Sequence, residues 1–175
     1  MGTEGSTVLE PLWRGLPHLD HATVSGSATC ALPARFDAVK SARDFTRETL
    51  QRWQLDGEFD TVALVVSELV TNALRHGLPA PPAPPPAPAP ELASPVRLDL
   101  MRWAARLVCA VRDPSGAPPE STNNCTEYGD FTAESGRGLC LVESFSDGWG
   151  WHPLTGMMRG KVVWALFRLT PVRAV

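Results

Sequence analysis

The sequence is short of several things, and each shortage removes a class of protein. No stretch approaches the about 18 consecutive apolar residues that a membrane-spanning helix needs. The N-terminal residues MGTEGSTVLEPLWRGLPHLDH lack a basic start followed by an apolar core, so no secretory signal is expected. Basic residues do not dominate: 16 Lys and Arg stand against 19 Asp and Glu, for a net charge of −3. That balance argues against direct nucleic-acid binding, which normally shows as a basic face. The four cysteines, Cys30, Cys109, Cys125 and Cys140, are scattered, with no Cys-x-x-Cys pair and no nearby His at zinc spacing. They are expected to be reduced thiols in a cytoplasmic protein.

Several chemical signatures are missing too. There is no His-Glu-x-x-His, no Gly-x-Ser-x-Gly, no His-Arg-Asp and no Asp-Phe-Gly, which excludes the common zinc peptidases, serine hydrolases and ordinary protein kinases. GMMRGKV (156–162) has only three residues between its glycines, and Val162 stands where a phosphate-binding loop needs Ser or Thr for magnesium. In the Gly-x-Gly at 136–138, Leu141 replaces the third glycine of a dinucleotide fingerprint.

What is present is 175 residues, 43% of them hydrophobic and 20% charged, which fits one globular domain with a real core. Residues 1–21, rich in Gly, Ser and Pro, are expected to be a flexible N-terminal segment, and 22–170 to form the domain. A first strand is expected within 22–32, stopped by Pro33. Residues 35–53 carry Phe36, Val39, Ala42 and Leu50 at helical spacing, with charges on the other side. Gly57 should break that helix, Asp56 or Asp60 should cap the next, and a second helix should run from about 59 to 76 and end at Gly77. Between Pro79 and Pro90, eight of twelve residues are proline and the rest alanine. Proline lacks the N–H and fixes φ, so this insertion should be polyproline II, roughly 37 Å if extended. PVRLDLMRW alternates Val96, Leu98 and Leu100 against Arg97, Asp99 and Met101, as a half-buried strand would. It should form a hairpin with 106–113. Residues 114–137 are a long loop, 138–146 a short helix, and DGWGWHP and KVVWALFRLT two final strands. The order implies an α+β fold, a two-layer sandwich with helices on one face of a mixed, mostly antiparallel sheet.

Three blocks carry chemistry. In VSELVTNALRHG (66–77), Glu68, Asn72 and His76 recur four apart, with Thr71 and Arg75 among them. Opposite them, Val62, Val66, Leu69, Val70 and Ala73 cluster on the apolar side. A solvated polar face is the plain reading. Against it, Leu64 and Val65 intrude on the polar side, and Ser, Thr and Asn are indifferent helix formers. VRDPSG (111–116) sets Asp113 at a strand end before a turn. It is either Asp-Pro turn chemistry or a carboxylate at a pocket edge. ESGRGLCLV (134–142) has two glycines at a loop-to-helix junction, where backbone N–H groups can face an anion.

In this order, the three blocks followed by GKVVWALF resemble the GHKL (histidine-kinase-like) ATPases, and among them the bacterial anti-sigma-factor serine kinases. The resemblance covers about 30–169. It implies a Bergerat-type ATP-binding fold with ATP and Mg²⁺ as cofactors. By resemblance Glu68 is the general base and Asn72 the magnesium ligand. Arg75 and His76 lie toward phosphate, Asp113 accepts from the adenine amine, and Gly116 lets the base approach the backbone. Gly136, Arg137, Gly138 and Leu139 cradle phosphate at the end of a lid spanning 117–135. The partners implied are a sigma factor and an anti-anti-sigma (STAS-type) protein phosphorylated on serine, and relatives commonly pair as homodimers. Two departures stand out. The family's Asp-x-Gly is here Asp113-Pro-Ser-Gly116, one residue longer, and Val162 and Val163 occupy positions where some relatives carry a hydroxyl. The altered second block supports an alternative reading, a non-catalytic protein-binding module with a weakened nucleotide site.

Overall fold

The structure is a computed structural model, which describes residues 24–33, 37–78, 96–119, 137–155 and 159–169. The N-terminal segment, the Pro/Ala tract and most of the expected lid lie outside the described residues.

The chain opens with β1 (Gly26–Leu32) and α1 (Ala38–Arg52). A single 3₁₀ turn at Asp56–Glu58 leads into α2 (Phe59–Asn72), which continues as a π-helical turn, Ala73–Gly77. The hairpin β2 (Val96–Trp103) and β3 (Arg106–Asp113) follows, then α3 (Arg137–Phe145), β4 (Gly148–Pro153) and β5 (Lys161–Arg168). The strands form one sheet in the order β1-β2-β3-β5-β4. Every pairing among them is antiparallel. The α+β, two-layer architecture expected from the sequence is therefore present.

The helical period explains why α1 and α2 bury what they do. Ala38, Ala42, Thr46, Thr49 and Leu50 of α1 are buried, as are Val62, Val65, Val66, Leu69 and Val70 of α2. They meet Leu98, Leu100, Leu107, Cys109, Val111, Val163 and Phe167 from one face of the sheet. Each such Val, Leu or Phe withdrawn from water contributes about 1.5–3 kcal/mol before the entropy of ordering it. Two side chains tie α1 to α2 across their polar edges. Arg43 Nη1 donates to Ser67 Oγ at 3.1 Å, and the Arg47 guanidinium lies 4.7 Å from the Phe59 ring centroid.

Two sequence expectations need correcting. Neither Asp56 nor Asp60 caps α2: Glu58 holds the N-cap position, without a side-chain cap hydrogen bond. The 3₁₀ turn delivers the chain into the helix instead. The strand β2 is also not half-buried. Asp99, Met101 and Trp103, on the face away from the helices, are 5% exposed or less. Two cysteines match the expectation of free thiols, Cys30 and Cys109. Cys140 does not, being disulfide-bonded, with its partner outside the described residues.

Candidate functional site

The polar stripe of the second helix is real for its first part. Glu68 and Asn72 lie on α2 one turn apart, and both are half-buried, so neither is a freely solvated surface group. Beyond Asn72 the backbone widens into the π-helical turn. Arg75 is exposed there, His76 half-buried and Gly77 buried. Such turns inside α-helices are rare and gather at functional sites.

The glycines report which segments touch. A Cβ added to Gly138, in the first turn of α3, would lie 2.8 Å from Glu68 Oε2. The start of α3 therefore abuts the Glu68 carboxylate. The first N–H groups of a helix have no partner within it, and the partial positive charge at that end favours an anion. Arg137 opens α3, and Leu139 turns its side chain into the core at 5% exposure. What Leu139 can offer a ligand is its backbone N–H. Gly136 lies outside the described residues.

A second junction surrounds Asp113. A Cβ on Gly77 would come within 2.5 Å of Asp113 Cγ. The end of the first block thus packs directly on the carboxylate of the second. Gly160 has φ +116, and a Cβ there would run into the Asp113 carbonyl oxygen. Both its conformation and that contact demand glycine.

Asp113 Oδ1 accepts from Lys161 Nζ at 3.0 Å and from the Ser115 N–H at 2.9 Å. The Lys161 and Asp113 side chains are 3% and 1% exposed. They face each other because Asp113 and Lys161 are register partners across β3 and β5. Burial pushes the Asp113 carboxyl above the ordinary aspartate value, against the opposing pull of Lys161 and the Ser115 N–H. Gly116, beyond the turn, is exposed and has open space where a side chain would be.

Helix α2, the start of α3 and the β3–β5 strand ends are thus brought together as Glu68–Gly138 and Gly77–Asp113. Lys161, Ser115 and Gly160 were not singled out by the sequence. A signal for Lys161 existed: it shares strand parity with Val163, Ala165 and Phe167, all buried on the helix side. A lysine at the head of that row has to find an anion. Val163 belongs to the helix-side core, while Val162 points to the opposite face.

The family of the histidine kinase-like ATPase domain matches residues 32–165. The chain belongs to that family. Among solved structures it is similar to the RsbU and RsbW domains of Rv1364c from Mycobacterium tuberculosis. The TM-score is 0.55 with 18% identity, over 86% of this chain and 35% of that one. At that identity the likeness speaks for the fold, and the chain spans about a third of the length of its relative. A comparison with curated proteins finds no match.

Proposed function

We propose that this domain binds ATP with Mg²⁺ and phosphorylates a serine of a small anti-anti-sigma partner of the STAS type. It would alternate between that partner and a sigma factor. The observation that carries the reading is the approach of the first turn of α3 to the Glu68 carboxylate. It brings a base candidate to the place where unpaired backbone N–H groups can hold phosphate. Phosphoryl transfer asks little more of a protein than positioning and charge stabilisation.

The residues divide the work. Glu68 orients the serine hydroxyl and takes its proton, which needs hydrogen-bond reach. Asn72, one turn on, offers a neutral, hard oxygen. Together with phosphate oxygens this is the sparse donor set magnesium accepts. When bound, the ion supplies positive charge against the phosphates. Backbone N–H groups of Arg137, Gly138 and Leu139 meet the phosphates, with Arg75 and His76 nearby on the π-helical turn. Asp113 accepts from the adenine amine, and Gly116 leaves the base room against the backbone. A phosphoryl group adds about −1.5 to −2 charges to the partner, enough to change which surface it matches. Substrate, sigma factor and ATP imply a cytoplasmic protein, and among the described residues no helix is long and apolar enough to cross a membrane.

A second reading, a protein-binding module with a weakened nucleotide site, draws support from Asp113, whose Oδ1 already accepts from Lys161 and Ser115. Calorimetric titration with ATP, with and without Mg²⁺, separates the two. The wild type should bind more tightly with magnesium, and Asn72→Ala should lose that difference. Glu68→Ala should keep nucleotide binding while labelled phosphate no longer reaches the partner. Absence of magnesium-dependent binding in the wild type would favour the module. Unchanged transfer by Glu68→Ala would refute the base assignment.

A further inference from the structure

Two opposite charges are buried beside the 113–116 turn, and only Asp113 has a part in the proposed chemistry. Its partner, Lys161, places Nζ 3.0 Å from Asp113 Oδ1 and 3.5 Å from the Ser115 carbonyl oxygen. The ammonium thus reaches both the strand end and the turn that leads to Gly116.

Packing does not call for such a pair. A buried ion pair contributes no more to stability than well-packed apolar residues of similar volume, and often less. Lys161 heads a strand row, Val163, Ala165 and Phe167, that is otherwise apolar. A valine or leucine would continue it. The backbone is also shaped around the pair. Gly77 has no room for a Cβ, which would fall 2.5 Å from Asp113 Cγ. Gly160, next to Lys161, holds φ +116, and a Cβ there would strike the Asp113 carbonyl oxygen. Three segments far apart in sequence therefore close on one carboxylate and one ammonium.

The hydrogen-bonding capacity of the pair is not used up. The bonds from Lys161 and the Ser115 N–H both fall on Oδ1. A carboxylate offers about four acceptor positions over its two oxygens, and an ammonium has three N–H donors. One donor of Lys161 goes to Oδ1, and the 3.5 Å approach to the Ser115 carbonyl is too long for a strong bond. What remains is an acceptor and a donor side by side, with Nζ and Oδ1 3.0 Å apart. A ligand that reaches one group reaches the other. The edge of a 6-aminopurine is the complement: its exocyclic amine donates, and the adjacent ring nitrogen N1 accepts.

We propose that Lys161 is a second base-reading residue, donating from Nζ to N1 of adenine while Asp113 accepts from the 6-amino group. The inference rests on the proposed ATP binding and adds to it a charged specificity-determining residue. A bond from a charged donor is stronger than a neutral one, so N1 becomes a main anchor of the base. The bonds from Lys161 and Ser115 hold Oδ1 in place and leave Oδ2 for the amine.

Calorimetric titration of the full chain with Mg²⁺ tests this with three nucleotides: ATP, 1-deaza-ATP, in which N1 is replaced by C–H, and 3-deaza-ATP, which keeps N1. The wild type should bind 1-deaza-ATP roughly 10- to 100-fold more weakly than ATP, the range for losing a hydrogen bond to a charged group. It should bind 3-deaza-ATP like ATP. In Lys161→Met, checked for folding by circular dichroism, ATP should bind more weakly and its advantage over 1-deaza-ATP should vanish. A lysine with a merely structural role would weaken all three nucleotides alike and leave that advantage in place. Equal binding of ATP and 1-deaza-ATP by the wild type would overturn the inference while leaving ATP binding intact. So would an advantage that survives in Lys161→Met. Failure of the wild type to bind ATP would overturn the proposed function, and this inference with it. If Lys161→Met does not fold, the two deaza analogues on the wild type decide alone.

Discussion

Asp113 and Lys161 concentrate the electrostatic risk of this molecule in two atoms 3.0 Å apart. A buried carboxylate without a partner is expensive, and so is a buried ammonium. Together, with the Ser115 N–H as a third member, they are satisfied. Breaking such a pair from one side is worse than removing it whole, because the survivor keeps its desolvation cost. Lys161→Met should therefore lower unfolding stability by roughly 3–5 kcal/mol, measured by denaturant titration. Lys161→Met/Asp113→Leu should recover most of that loss. A single variant as stable as wild type would show that the carboxylate is relieved in some other way. The same pair shows how far residue-level reading of sequence reaches. Asp113 could be picked out because it ends a strand before a turn. Lys161 could not be paired with it until the register of β3 and β5 was known, since 48 residues separate them.

At the scale of elements, the informative contact is the crossing of α2 by the first turn of α3. Gly138 leaves no room for a side chain there, since an added Cβ meets Glu68 Oε2 at 2.8 Å. The obstacle is the free end of a flexible side chain, so Gly138→Ala should fold normally, with the Glu68 carboxylate pushed aside. Under the proposed mechanism, transfer to the serine partner should fall by roughly 100-fold, the lower range for losing a general base. The melting temperature should stay within a few degrees of wild type, as expected for changes well under a few kcal/mol. Transfer at the wild-type rate would separate Glu68 from the chemistry. The elements themselves were largely legible. α1, α2 and the β2–β3 hairpin follow from 3.6- and 2-residue periods, and their observed limits lie within a few residues of those expected. The π-helical turn at Ala73–Gly77 was not, because nothing in ALRHG distinguishes a widened turn from one more α-helical turn. Its last residue, Gly77, packs on Asp113, a contact between segments 36 residues apart that the sequence does not display. The approach of Gly138 to Glu68 was equally hidden: the sequence named both residues, and only packing joined them.

For the whole molecule the decisive feature is a sheet buried on both faces, with a helix-side core and a second cluster opposite. Reading β2 as half-buried failed because Arg97 and Asp99 alternate with apolar residues as they would on a wet face. Yet Asp99 is only 5% exposed and accepts a hydrogen bond from Thr29 Oγ1. Burial raises the Asp99 carboxyl above the ordinary value, against the Thr29 hydrogen bond and the charges of Arg97 and Arg112. Asp113, on the other face, is raised for the same leading reason. The sign for stability follows from proton counting. Between the unfolded value, about 3.9, and the raised folded value, the native state keeps a proton that the unfolded chain has released. Stability from these two groups is therefore full at the acid end and declines as pH rises through that window, then levels off. Asp99→Asn keeps an oxygen for Thr29 and cannot ionise. Measured against wild type, its melting temperature should improve progressively as pH rises from about 4, and the difference should become constant once Asp99 is fully ionised in the native state. A wild-type-to-variant difference independent of pH would mean that the carboxylate is as well solvated in the folded protein as in the unfolded chain, and that the second face of the sheet is open to water.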